Sequence, residues 1–145
     1  MMTNSMAVGV TGIGQIFVTA YDLERAIAFY RDTLGLPFLF QAPPDMAFFQ
    51  CGTVRLMLGK PEKPELEHPA SIIYYRVDDI QRARRVLTDR GVQFMGDPAA
   101  VHKTEQIELW LAFFHDSEQN ILALMSEVPR AGKSPTEPTG SAGRQ

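Results

Sequence analysis

Few side chains in this 145-residue sequence are suited to chemistry. The three histidines are His68 in a proline-rich stretch, His102 after Asp97-Pro98 in an expected loop, and His115 at the end of a predicted strand. Each reads as a surface or loop histidine rather than a ligand or base. His102 is the most interesting of them, because a loop at the rim of a site can close on a ligand. Glu105 and Glu108 lie nearby in sequence. Glu108 falls on a strand whose facing the pattern does not fix, and one lone carboxylate is too little for metal-free acid–base catalysis. Cys51, just before Gly52 in an expected hairpin, has no histidine beside it and reads as a structural thiol. Arg82, Arg84, Arg85 and Arg90 fall on one helix with acidic residues close by, the pattern of a solvated helix face. Arg55 and Arg76 sit on strands instead, where a buried guanidinium needs an acceptor: a ligand anion, Glu108 or solvent.

These residues need a scaffold, and composition bounds it. Hydrophobic residues make up 45% and charged residues 21%, enough for the core of one domain. A formal net charge of −3 argues against a nucleic-acid partner, which calls for a basic face. The single cysteine excludes an intramolecular disulfide and fits a reducing compartment. No apolar run has the length of a membrane span. MMTNSMAVGVTG lacks the basic and apolar regions of a secretory signal, so the expected location is the cytoplasm. Residues 1–10 and the Pro-, Gly-, Ser- and Thr-rich residues 129–145 read as flexible ends. The folded unit is expected at about 11–128.

Inside that unit the sequence repeats. Asp22-Leu23-Glu24-Arg25-Ala26 returns as Asp79-Ile80-Gln81-Arg82-Ala83, 57 positions on (22 to 79). Each copy follows an apolar run and leads into a helix and a glycine, Gly35 or Gly91, now 56 positions apart (35 to 91), so the second helix is one residue shorter. Asp22 and Asp79 are good N-caps, because a short carboxylate accepts the orphan N–H groups of a first turn. Leu23, Ala26, Ile27 and Tyr30 make one apolar helix face. Gly35 and Gly91 suit left-handed C-terminal caps. Three strands follow each helix, at about Pro37–Gln41, Ala47–Cys51 and Val54–Leu58, then at about Gln93–Met95, Ile107–Phe114 and Ile121–Ser126. Each half is therefore β-α-β-β-β, at about 11–60 and 70–128, joined by a linker containing Pro61, Pro64 and Pro69.

A duplicated βαβββ unit resembles the vicinal oxygen chelate superfamily, which includes glyoxalase I, extradiol dioxygenases and bleomycin-resistance proteins. The resemblance rests on Asp22 to Leu36 (DLERAIAFYRDTLGL), Arg76 to Ile80 (RVDDI) and Phe114 to Leu124 (FHDSEQNILAL). The last is similar to the family's DPxGN ending, with Ser117 for proline and Gln119 for glycine. The resemblance implies an α+β fold in which two βαβββ repeats form a curved mixed sheet around a cleft, with the helices outside. Strand alternation then puts Ile16, Val18, Ile73 and Tyr75 under the helices. Gln15, Phe17, Thr19, Arg55, Met57, Ile72, Tyr74, Arg76 and Ala123 face the cleft, and Trp110 is expected to join them.

Metal-dependent relatives place one ligand on the first and last strand of each half, which here means Gln15, Met57, Ile72 and Ala123. An amide, a thioether and two hydrocarbon side chains are a poor donor set for a divalent ion. No cofactor is therefore expected. The cleft has apolar walls and a few polar groups, the usual make-up of a small-molecule pocket. The expectation is a metal-free protein that binds a small aromatic or amphipathic molecule, neutral or anionic given the arginines, and forms a homodimer. The alternative is a glyoxalase-like lyase or dioxygenase with a divalent metal on a non-standard site, drawing on Gln15 with His102 or Glu108. A third possibility is a structural or regulatory protein whose cleft is filled by its own side chains.

Overall fold

The computed structural model describes residues 8–61 and 63–130. Most of the two terminal segments expected to be flexible lies outside them. The first half runs β1 (Gln15–Thr19), α1 (Leu23–Ala28), β2 (Phe38–Ala42), β3 (Met46–Cys51) and β4 (Val54–Gly59). The second runs β5 (Ile73–Arg76), α2 (Ile80–Asp89), β6 (Ala99–Lys103), β7 (Ile107–His115) and β8 (Ile121–Pro129). The strands form two four-stranded sheets, ordered β1-β4-β3-β2 and β5-β8-β7-β6. In each, the first strand lies parallel to the last, and the other pairs are antiparallel. The α+β architecture of two βαβββ halves is thus present, with its eight strands divided into two separate ladders.

Local chemistry sets the helix ends. Asp22 Oδ1 accepts from Arg25 N at 3.1 Å, and Asp79 Oδ1 from Arg82 N at 3.0 Å. Gly35 and Gly91 stop the helices at φ +85° and +96°, which a side chain rarely adopts. The first helix differs in one respect. After Ala28 it widens into a π-helical turn, Phe29–Thr33, closed by Leu34 N donating to Phe29 O at 2.8 Å. This i→i+5 bond takes up the one residue by which the first copy exceeds the second.

Two boundaries differ from the sequence reading. The strand expected at Gln93–Met95 is a single bridge between Phe94 and Phe114; the ladder strand is β6, after the Gly96-Asp97-Pro98 bend. Phe94 is held by its ring, 5.0 Å from that of Phe114, and that burial gave it the look of a strand residue. His102 consequently stands on a strand, opposite Leu109, and not in a loop. β8 runs to Pro129, and Arg130 N donates to Gln106 O at 2.9 Å.

α1 packs on β3 and β4, and α2 on β7 and β8. One core cluster joins the helix-bearing faces of both sheets: Val18, Tyr30 and Leu56 from the first half share it with Tyr75, Phe114 and Leu124 from the second. Polar clasps reinforce the joint. The buried Tyr30 hydroxyl donates to Asp116 Oδ2 at 2.6 Å. Asp116 also accepts from Glu118 N, Asn120 N and Asn120 Nδ2, which shapes the β7–β8 turn. Asn120 Nδ2 reaches Thr19 O at 3.2 Å, Arg25 Nε reaches Glu118 Oε2 at 2.8 Å, and Arg90 Nη1 reaches Thr33 O at 2.8 Å.

Candidate functional site

Alternation along β1 turns Gln15, Phe17 and Thr19 away from α1, and the register sets Arg55 beside Gln15 and Met57 beside Phe17. The five expected residues of the first half therefore share one sheet face. Gln15 makes two side-chain contacts there. Its Oε1 accepts from Arg55 Nε at 2.8 Å, and its Nε2 points to Met57 Sδ at 3.6 Å. Arg55 lies over the Phe48 ring at 5.6 Å, and Phe48 stacks on Phe40 at 4.7 Å. One edge of the guanidinium is thus fixed by an amide and its plane by an aromatic ring, which orients the remaining N–H donors. Alternation along β3 and β2 puts Phe48 and Phe40 on this face; sequence reading missed both because Phe48-Phe49 is a doublet with one ring on each side.

On the second sheet Tyr74, Arg76 and Ala123 share the corresponding face, with Tyr74 paired to Ala123 and Arg76 to Met125. The Tyr74 ring meets Phe113 edge-on at 5.9 Å. Ile72 precedes β5 and is 41% exposed. Trp110 is placed differently from expectation. It pairs with Ser126 and shares its face with Ala112 and Phe114, so it packs on the core side. Its Nε1 donates to Glu108 Oε1 at 3.1 Å, which puts Glu108 on that side too. The segment IELWLAFF is apolar at almost every position, so alternation had no polar phase to read.

The metal expected of many relatives does not fit these positions. Gln15 spends its oxygen on Arg55, Met57 offers a soft sulfur, and Ile72 and Ala123 offer carbon only. Of the residues in the non-standard set, His102 pairs with Leu109 on the second sheet, while Glu108 lies on the opposite face, bonded to Trp110 and near Lys103. Among the described residues no group of three or more His, Cys, Asp or Glu side chains is placed to hold a metal ion. His68 Nδ1 lies 2.8 Å from Pro69 O in the linker, and His115 pairs with Ile121 at a strand end.

The expected residues lie on the sheet faces opposite the helices, and on the second sheet Tyr74 and Arg76 also reach the joint between the halves. At the joint itself is a cavity of about 670 Å³. Its apolar wall includes Ile16 and Leu56 from the first sheet, Ile73 and Leu124 from the second, and Val86 and Leu87 from α2. Cys51 also lines it, and burial raises its thiol pKa. Tyr75 is pushed above the usual phenol range, first by burial and then by the Cys51 and Asp116 charges, and its enclosed hydroxyl has no partner among the described residues. No sequence pattern marks this cavity, because it arises from how the two halves pack.

Comparison with known proteins agrees with this architecture. The family model described as Glyoxalase/Bleomycin resistance protein/Dioxygenase superfamily matches residues 12–123. An uncharacterized protein of Bacillus subtilis (strain 168), YraH, is 25% identical over 124 residues, covering 76% of this chain and 94% of the relative. Lactoylglutathione lyase from Agrobacterium tumefaciens superposes with a TM-score of 0.66 at 20% identity, over 81% of this chain and 95% of that one. TnmS3, an antibiotic binding protein from Streptomyces sp. CB03234, superposes at 0.67 with 21% identity, over 83% and 99%. At such identities the structural likeness speaks for the fold alone. No helix among the described residues is long and apolar enough to cross a membrane.

Proposed function

We propose that this chain, which belongs to the glyoxalase/bleomycin resistance protein/dioxygenase superfamily, binds a small aromatic or amphipathic molecule on its sheet faces without a metal. The observation that carries this reading is the Gln15–Arg55–Met57 set. At a place where relatives hold a metal, both ends of the Gln15 amide are taken up by neighbours, and the product is an oriented arginine over an aromatic floor. Such a surface suits a flat ligand that is neutral or anionic: Phe17 and Phe48 give contact area, and Arg55 gives direction. Tyr74, Phe113 and Arg76 offer a second half-site of similar make-up on the other sheet. Because the two faces lie on separate sheets within one chain, a second copy would bring the first face of one chain to the second face of another. A homodimer is therefore part of the proposal, as is a cytoplasmic location. TnmS3, of the same fold, is described as an antibiotic binding protein, which supports a binder on this scaffold.

The test pairs metal analysis of untagged protein with calorimetric titration of 2-naphthoate. The expected result is sub-stoichiometric metal and saturable binding that Arg55→Ala weakens about tenfold, the loss of one charge-assisted hydrogen bond. Stoichiometric zinc, nickel, manganese or iron would sink the metal-free reading. Binding unchanged in Arg55→Ala would remove the first sheet face from the site.

A further inference from the structure

The cavity at the joint carries its own charge pattern. Three arginines contribute to its wall, Arg76, Arg82 and Arg90, and no aspartate or glutamate does. This imbalance occurs in a chain whose formal net charge is −3. Among the described residues none of the three is in an ion pair. Arg90 gives one donor to Thr33 O; Arg82 comes from α2 and Arg90 from the residue that caps its C-terminus, both exposed at the edge of the apolar wall. The volume lies within the range of ordinary ligand pockets.

We propose that this cavity is a binding site for an amphipathic monoanion, separate from the Arg55 face of the first sheet and adjoining the second face at Arg76. The apolar body lies among Leu56, Val86 and Leu87, and the anionic group meets Arg82 and Arg90 at the rim. Apolar burial supplies the affinity, and the unpaired guanidinium groups favour a carboxylate or similar head over a hydroxyl. Cys51, in the wall and alone of its kind in the chain, reports occupancy.

Octanoate, decanoate and 1-octanol are titrated calorimetrically against the full chain, and the alkylation rate of Cys51 by N-ethylmaleimide is followed at each saturation. Decanoate is expected to bind roughly 15-fold tighter than octanoate, about fourfold per methylene, and to slow Cys51 alkylation. Octanol is expected to bind at least about tenfold more weakly than octanoate. The double substitution Arg82→Gln with Arg90→Gln should erase that preference for the acid. Val86→Trp, which fills the hollow, should abolish binding; if it unfolds the chain, Ala83→Leu on the same helix takes its place. Binding that leaves Cys51 unprotected, or equal affinity for octanoate and octanol, would overturn the proposal. So would decanoate binding lost in Arg55→Ala and kept in Val86→Trp, which places the anion on the sheet face and leaves the metal-free reading standing.

Discussion

On the first sheet Gln15 and Arg55 stand side by side and bond to each other. The register places Ile72 and Ile121 at the corresponding points of the second half, since Phe17 pairs with Met57 as Tyr74 pairs with Ala123. One half thus presents an amide and a guanidinium where the other presents two isoleucines. The parts that hold the backbone have hardly diverged: an aspartate caps each helix, a left-handed glycine ends it, and the first and last strands lie parallel. Caps and glycines answer to backbone geometry, which both halves share. The residues on the open sheet faces answer to a ligand, and only one half has kept polar groups at these places. A metal held jointly at the family's positions needs donors from both halves, and Ile72 and Ala123 supply none.

The sharpest way to break the likeness between the halves is at their last turns. In the second half, buried Asp116 accepts four hydrogen bonds, one of them from Tyr30 of the first half. Asp116→Ala should cost about 3 kcal/mol, because it strands several buried donors at once. In the first half the Cys51-Gly52-Thr53 turn has no such clasp, and Thr53→Ala should stay within about 0.5 kcal/mol. Urea midpoints at unchanged slope measure both. Next come the helix ends. A Cβ at Gly35 or Gly91 would meet no atom within 4 Å, so only backbone strain is at stake. Gly35→Ala and Gly91→Ala should each cost about 1 kcal/mol, and equal losses would show that the two caps are still the same device. Gln119 holds φ at +70°, where the family ending has glycine. Gln119→Gly should accordingly stabilise the chain by roughly 0.5–1 kcal/mol.

The smallest effect is electrostatic. Glu118, its side chain only 6% exposed, bonds to Arg25 at the start of α1, whereas α2 has no equivalent partner among the described residues. The Arg25 hydrogen bond, followed by those from Ser117 and the Asp22 backbone, holds the Glu118 carboxyl below its usual value of 4.5. The folded state therefore gains from this pair above pH 4.5, and the gain is lost as the pH falls through the lowered value. The arginine end is 59% exposed, so solvent screens most of the pair. Glu118→Gln should leave a slightly flatter acid limb in a plot of denaturation midpoint against pH, and an unchanged limb would assign the acid dependence elsewhere.

Much of the fold was legible because its signals are local. Asp22, Asp79, Gly35 and Gly91 announce the helix ends, and alternation in QIFVT and IYYR sorts each strand into a packed face and an open one. Phe94 and Trp110 mark where this stops. Phe94 is apolar because its half-buried ring packs beside Phe114, not because it belongs to a ladder. Trp110 sits in a strand apolar on both faces, where period-two reading has no contrast to work with. Of the candidate site, the individual faces were readable and their joint arrangement was not. Whether two faces meet or turn apart depends on contacts such as Tyr30 with Asp116, which lie 86 positions apart in sequence.

The π-helical turn at Phe29–Thr33 bears on how such a chain tolerates change in length. A regular helix advances about 100° per residue, so one inserted residue would swing everything beyond it more than a quarter turn off the sheet. The wide turn absorbs the extra residue within a single loop of helix, and Leu34 and Leu36 still reach the core. The first helix is in effect an expansion joint: a residue can be gained or lost there without re-phasing the strands on either side, and the two copies have been free to drift apart in length while keeping one packing plan.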